Sequence, residues 1–189
     1  MRSAHESVEA TASATKRERM LIAAHRGEHV DPPGDQLSAL LDVARALSQA
    51  EIPYALIGGI AVGIHSQVPR ATQDVDVAVP STAARDSIIS ALEVAGFELV
   101  GQFAHSLNLR HASGERVQAA IDPAFDEMIE RAEEVLVGGV VIRIVTAPDL
   151  LAMKERAAAD PARRRSKALR DQADIELLRG DVPDPDEGW

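Results

Sequence analysis

The stretch Arg70-Ala-Thr-Gln-Asp-Val-Asp-Val-Ala-Val79 sets two carboxylates two residues apart inside a valine-rich run. Val75, Val77 and Val79 alternate with Asp74, Asp76 and Ala78, which is the period-two pattern of a strand with one apolar face. On such a strand Asp74 and Asp76 leave the same face. Two adjacent carboxylates can share a hard, oxygen-seeking divalent cation, and that cation can in turn neutralise a polyphosphate. Taken alone, D-x-D is most often an edge strand with one wet face. A second feature stands just upstream. Tyr54-Ala-Leu-Ile57 is a short apolar strand that runs into Gly58-Gly59 and then into a short helix, Ile60 to Ser66. Glycines at such a turn let the backbone approach a phosphate, and the helix start offers it free N–H groups. Arg70 can meet a phosphate, and Thr72 can hydrogen-bond beside it or simply favour the strand.

A lysine is the third candidate. Leu150, Leu151, Ala157 and Ala158 form the apolar stripe of a helix starting near Pro148. At about 100° per residue Lys154 falls between Leu150 and Leu151, inside that stripe. It needs either an anionic partner or a path by which its ammonium reaches water. On the last helix Arg163, Lys167, Arg170, Asp171 and Asp174 share a side opposite Leu169, Ala173 and Leu177. Asp171 with Lys167, and Asp174 with Arg170, can form exposed i, i+4 pairs of about 0.3–0.5 kcal/mol each.

Several elements must position these groups. Residues 1–33 are polar and mixed in charge, and read as an extension with a helix over 15–26. Leu37, Leu40, Leu41, Ala44 and Leu47 recur at helical spacing over 35–50, and Pro53 ends that helix. After the aspartate strand, Ser81 can cap a helix that presents Ala84, Ile88, Leu92 and Ala95 and stops at Gly96. Three strands follow at 97–101, 106–110 and 115–121, with a turn at Ser113-Gly114. Phe125, Met128, Ile129 and Ala132 mark a helix behind Asp122-Pro123, and Gly138-Gly139 joins a hairpin. Thr146-Ala-Pro-Asp149 supplies a helix cap, with helices over 148–159 and 161–179. The expected organisation is an extension (1–33), an α/β core (34–146), a C-terminal helical lobe (147–180) and a loose tail (181–189).

Composition narrows the classes. A chain of 189 residues is most simply one domain, and folding at this length buries roughly 70% of the unfolded surface. Hydrophobic residues make up 46% but aromatics only 3%, so the core must be built from Ala, Val, Leu and Ile. With no cysteine there is no disulfide, thiolate metal site or cysteine nucleophile, which fits a reducing cytoplasm. The six histidines show no zinc spacing, and no Ser-His-Asp arrangement can be assembled locally. Lys and Arg number 20 against 30 Asp and Glu, a net charge of −10, so nucleic-acid contact would need a local patch. The apolar run at 20–24 is too short for a signal-peptide core, and no run approaches the roughly 20 residues that span a bilayer. A soluble, cytoplasmic protein without membrane contact is expected.

Residues 56–79, LIGGIAVGIHSQVPRATQDVDVAV, resemble the signature of the DNA polymerase β-like nucleotidyltransferases, and among these the AbiEii/AbiGii-type small bacterial enzymes. The resemblance extends over roughly 36–179. It implies a nucleotidyltransferase fold, a mixed sheet flanked by helices, in which Asp74 and Asp76 hold Mg²⁺ (or Mn²⁺) and a nucleoside triphosphate. Gly58, Gly59, Arg70 and Thr72 would cradle the phosphates. The same proteins carry a lysine in a stretch like Asp149-Leu-Leu-Ala-Met-Lys154 and a later R/K-D-x-x-D-I pattern, matched by Arg170 to Ile175. That adds Lys154, Asp171 and Asp174 as catalytic candidates, on a helix side that would line the nucleotide cleft with Arg163, Arg164 and Arg165 reaching an RNA or other phosphate-rich acceptor. One departure stands out. The superfamily places a third carboxylate on a later strand, where this chain has Gln118, whose neutral amide cannot act as a base. Asp122 shares strand parity with Gln118, but it precedes Pro123 at a helix start, where capping is the favoured role.

The resemblance implies Mg²⁺-dependent transfer of an NMP from an NTP to an acceptor hydroxyl, tRNA among the candidates, by a toxin that has a cognate antitoxin partner. Transfer to an antibiotic or a partner protein is the alternative with the same donor site. A degenerate, non-catalytic nucleotide- or partner-binding member is the alternative that Gln118 motivates.

Overall fold

The computed structural model describes residues 2–27 and 34–182. Seven strands form one mixed sheet: β1 (Ala55–Ile57), β2 (Val75–Val79), β3 (Phe97–Phe103), β4 (Ser106–His111), β5 (Arg116–Ile121), β6 (Glu133–Val137) and β7 (Val140–Ile144). Their spatial order is β3-β4-β5-β2-β1-β7-β6. The β1–β7 and β2–β5 pairs are parallel and the rest antiparallel. The alternation along β2 works as its pattern requires. Val75, Val77 and Val79 are fully buried and continue through Val117, Ala119 and Ile121 of β5 into one aliphatic core. Helices α2 (Gln36–Gln49) and α4 (Arg85–Val94) pack on the sheet, with Leu40, Leu47, Ile88 and Leu92 inaccessible to solvent.

Helix α3 (Gly58–Ser66) leaves β1 directly and packs on β1 and β2. Against α3 lie α6 (Ala147–Ala159) and α7 (Arg165–Arg179), which also pack on each other. Thr146 caps α6 by accepting from the Asp149 amide. Three local expectations need correction. Ser81 does not cap α4; its amide and hydroxyl donate to the Asp126 carboxylate at 2.8 and 2.6 Å, and the helix starts four residues later behind Ala84. The last helix starts at Arg165 because Asp160 accepts from the Ala162 amide at 2.8 Å in a local turn. The helix after Asp122-Pro123 is a 3₁₀ turn, Pro123–Phe125, followed by the short α5 (Asp126–Glu130). The Asp31-Pro-Pro33 stretch and residues 183–189 of the expected tail lie outside the described residues.

The largest difference is at the N-terminus. Helix α1 runs Ala4–Arg26, opens with a Ser3–Glu6 capping box, and packs on α2, α3 and β6. Its buried positions include Ser7, Thr11 and Thr15 as well as Val8. The Thr11 and Thr15 hydroxyls reach the loop that leads into β2. Thr11 Oγ1 accepts from the Arg70 amide at 3.5 Å and Thr15 Oγ1 from the Thr72 amide at 3.0 Å. Arg19 donates to the Gln73 carbonyl at 2.8 Å and pairs in bidentate fashion with Glu115 at 2.7 and 3.0 Å. Glu115 is completely buried, so this pair is desolvated on the carboxylate side. A helix whose inward stripe is threonine and serine carries little apolar periodicity, which explains why only 15–26 read as helical.

Two substitutions test this attachment. Arg19→Met leaves Glu115 charged, buried and unpaired, and should cost about 3 kcal/mol or more, roughly 6 °C or more in Tm for a chain of this size. Thr15→Val leaves the Thr72 amide without its acceptor and should cost about 1–3 kcal/mol. Thermal denaturation checks both; an unchanged Tm for Arg19→Met contradicts the attachment.

Candidate active site

Asp76 sits in the middle of the sheet, between Ile57 of β1 and Gln118 of β5 in register. The residue after Ile57 is Gly58, held at φ +71°, where L side chains are strained. A Cβ on Gly58 would overlap the Asp76 carboxylate. A Cβ on Gly59 would lie 2.7 Å from both the Arg70 guanidinium and the Thr72 hydroxyl. The glycine pair is therefore a space requirement. It lets the turn lie directly against Asp76, Arg70 and Thr72. A cleft of about 330 Å³ opens over this point, lined by Gly58, Gly59, Arg70, Thr72, Asp74 and Asp76 and, from the helical lobe, by Lys154, Arg163, Lys167, Arg170 and Asp171. The α3 N-terminus has no side-chain cap, so its first amides face this cleft uncapped.

The two aspartates are the electrostatically unsatisfied groups of the site. Burial, and then the Asp74 charge, push the Asp76 carboxyl up to about 7, against the pull of Lys154 and Arg70. Burial, with Glu115 adding to it, also raises Asp74, with Lys167 and Arg116 opposing. Neither carboxylate has an ion-pair partner within 4 Å among the described residues. Two half-buried, mutually repelling carboxylates are what a divalent cation would relieve, and in that respect the donor set fits Mg²⁺ or Mn²⁺. No cluster of three or more His, Cys, Asp or Glu converges among the described residues. The remaining ligands would have to be water and phosphate oxygens.

Asp171 and Asp174 behave differently. They are 2% and 1% exposed, and point inward from α7 instead of pairing with Lys167 and Arg170 at the surface. Lys154 Nζ lies 3.1 Å from Asp171 and 2.7 Å from Asp174. Arg163 pairs with Asp171, and Arg70 with Asp174. The lysine in the apolar stripe of α6 is thus buried with two anionic partners and does not snorkel. Three cations against two carboxylates leave 3 − 2 = +1, and Lys167 and Arg170 at the cleft raise this to +3. A positive lobe faces the negative pair, an arrangement that suits a polyphosphate bound with its cation.

Asp122 accepts from the Ala124 amide at 2.9 Å as a cap, away from the cleft, and does not stand in for a third carboxylate. Gln118 occupies that position beside Asp76 and donates to Asn108 at 3.1 Å. The supports of the Arg70–Gln73 loop were missed by sequence reasoning. Thr11, Thr15 and Arg19, spaced by four on one helix face, were the available signal.

The sequence matches the family model described as "Nucleotidyl transferase AbiEii toxin, Type IV TA system" over residues 39–187, so α1 lies ahead of the matched region. No curated protein matches. Among solved structures, the lincosamide antibiotic adenylyltransferase LnuA, lincomycin-bound, has a TM-score of 0.57 at 14% identity, covering 79% of this chain and 100% of that one. ANT(2")-Ia in complex with adenylyl-2"-tobramycin has a TM-score of 0.57 at 15% identity, covering 78% and 90%. An antigenic nucleotidyltransferase-like protein from Paracoccidioides brasiliensis has a TM-score of 0.53 at 24% identity, covering 83% and 82%. At these identities the structural likeness is one of fold, the nucleotidyltransferase fold. The family match spans most of the chain, including the aspartate strand, the glycine turn and the helical lobe: this chain belongs to the AbiEii nucleotidyltransferase family.

Proposed function

We propose that the protein transfers an NMP from a nucleoside triphosphate to an acceptor hydroxyl, with a divalent cation, Mg²⁺ or Mn²⁺, held by Asp74 and Asp76. The observation that carries this reading is the fit of the Gly58 backbone against the Asp76 carboxylate, which supports a phosphate at the turn beside a cation held by the aspartates. The cation, when bound, would supply charge neutralisation at the phosphates. The chain's own groups do the rest. Gly58 and Gly59 admit the phosphates close to the backbone, and Arg70 and Thr72 flank them. Lys154, fixed by Asp171 and Asp174, keeps a positive charge where the leaving pyrophosphate gains negative charge. The acceptor oxygen bonds to the α-phosphorus as the bond to the β-phosphate breaks, and pyrophosphate leaves with the electron pair. Gln118 cannot take the acceptor's proton, which passes to solvent water at the open cleft.

In keeping with the family description, we assign the protein the role of a toxin with a cognate antitoxin, and tRNA is the first acceptor to test. The antibiotic-modifying folds support a second reading in which the donor site is the same and the acceptor is a small hydroxylated molecule. No described helix is long and apolar enough to cross a membrane.

Incubation with each labelled NTP, Mg²⁺ and total tRNA tests the transfer. Asp74→Ala/Asp76→Ala should label at least about 100-fold less than the wild type, several kcal/mol at the transition state. Labelling equal to wild type removes this mechanism.

Asp76 also predicts a pH dependence. Its carboxyl titrates near 7 when folded and near the usual 3.8 when unfolded. Between those values the native state holds a proton that the unfolded chain has lost. Stability of the ligand-free protein should therefore fall as pH rises from about 4 to 7, by at most about 1.4 kcal/mol per pH unit, and level off above. Asp76→Asn should flatten this slope. Cation binding needs the charged carboxylate, so Mg²⁺–NTP affinity by calorimetry should be about tenfold tighter at pH 8 than at pH 6. Equal affinity at the two pH values contradicts the assignment.

A further inference from the structure

The sheet face bearing Asp74 and Asp76 continues past them into a second cleft. In register, Asp76 neighbours Gln118 of β5, which neighbours Asn108 of β4; one row along, Arg116 of β5 lies opposite Arg110 of β4. Over these rows opens a cleft of about 340 Å³ bounded by Val100, Asn108, Arg110, Arg116, Gln118 and Asp74. Asp74 and Gln118 border both clefts. The cations of the phosphate cradle, Arg70, Lys154, Arg163 and Lys167, lie on the other side of that border.

Two features of the second cleft suit an anionic, hydroxyl-bearing ligand. Arg110 and Arg116 are exposed and directly opposite on antiparallel strands, where Cβ atoms lie about 4.5–5.5 Å apart and like charges destabilise the pair. Among the described residues neither makes a hydrogen bond or an ion pair, and Glu98, the register partner of Arg110 on β3, makes no ion pair with it. Asp74 acts electrostatically on Arg116 from the border of the cleft, yet the two guanidiniums still face one another without an anion paired between them, so a bound anion would relieve their repulsion. The second feature is the amide pair. Gln118 Nε2 donates to Asn108 Oδ1, which leaves the Asn108 amide donor and the Gln118 carbonyl acceptor free of described partners at the same cleft.

We infer that this face is the acceptor site, and that it takes an acceptor carrying a phosphate near its hydroxyl. The phosphate bridges Arg110 and Arg116, the Asn108–Gln118 amides meet the sugar or base, and the hydroxyl points toward Asp74. The site's role as acceptor site rests on the nucleotidyl-transfer reading, but its occupancy by a phosphate does not. Polycationic acceptors such as aminoglycosides are repelled by the arginine pair.

The test is fluorescence polarisation of the full chain with a labelled single-stranded oligoribonucleotide, alongside calorimetry with Mg²⁺ and NTP as a separate reading of the donor cleft. Arg110→Glu/Arg116→Glu should weaken oligonucleotide binding at least about 100-fold. The neutral Arg110→Gln/Arg116→Gln variant should reduce its log–log salt slope by about 0.7, the share of the one phosphate that the pair bridges. NTP affinity should stay within about twofold in the Arg110→Gln single variant, because Arg116, unlike Arg110, also acts on the Asp74 charge. Competition by ribose 5-phosphate assigns the site to small phosphorylated acceptors, and its absence assigns it to a polynucleotide. Wild-type protein that binds neither phosphate probe overturns the proposal. So do variants that bind the oligonucleotide as wild type does, a loss of NTP binding in Arg110→Gln, or tobramycin binding that weakens in the Arg→Gln variant. Oligonucleotide binding through the arginines with no NTP binding by the wild type supports this site and contradicts the donor reading.

Discussion

A close approach between one backbone and one carboxylate organises this molecule. Gly58 and Asp76 occupy space that a single methyl group would deny them, and the positive φ at Gly58 is the conformation that permits the turn. From that contact follow the neighbourhood of the α3 N-terminus and the aspartate pair, and the position of Arg70 and Thr72 against Gly59. It also exposes the fold's principal electrostatic cost, two half-buried carboxylates with no protein cation in contact. An enzyme that binds a cation with its substrate can retain such a pair, because occupancy removes the repulsion.

The rest of the fold arranges charge around that pair. Buried ion pairs are weak evidence for stability, since desolvation can exceed the attraction. The Lys154, Arg70, Arg163, Asp171 and Asp174 cluster makes better sense as positioning. It ties α6 and α7 to the loop before β2 and leaves surplus positive charge facing Asp74 and Asp76. Helix α1 secures the same loop from the other side through Thr11, Thr15 and Arg19. The loop is held at Arg70, Thr72 and Gln73, so it can present Arg70 and Thr72 in one geometry.

What was legible in the sequence was what local periodicity encodes. The valine alternation of β2, the glycine turn, the cap at Thr146 and the hairpin at Gly138-Gly139 were all readable because each depends on neighbours in the chain. The cluster around Lys154 could be suspected only from its misfit in an apolar stripe, since its partners lie 17 and 20 residues away (171 − 154 and 174 − 154) on another helix. Asp171 and Asp174 look like ordinary surface positions in a helical wheel, and only the packing of α7 on α3 and α6 turns them inward. Helix α1 buries hydroxyls where a periodicity argument looks for leucines. The facing of Arg110 and Arg116 needed the register of β4 on β5, which no single strand specifies.

The central claim concerns where a cation and a triphosphate sit. Crystals grown with Mn²⁺ and a non-hydrolysable NTP, with anomalous data for the metal, address it most directly. The account predicts a manganese peak about 2 Å from carboxylate oxygens of both Asp74 and Asp76, with phosphates against the Gly58–Gly59 backbone. A fully occupied nucleotide elsewhere on the molecule, or a metal that ignores either aspartate, contradicts it.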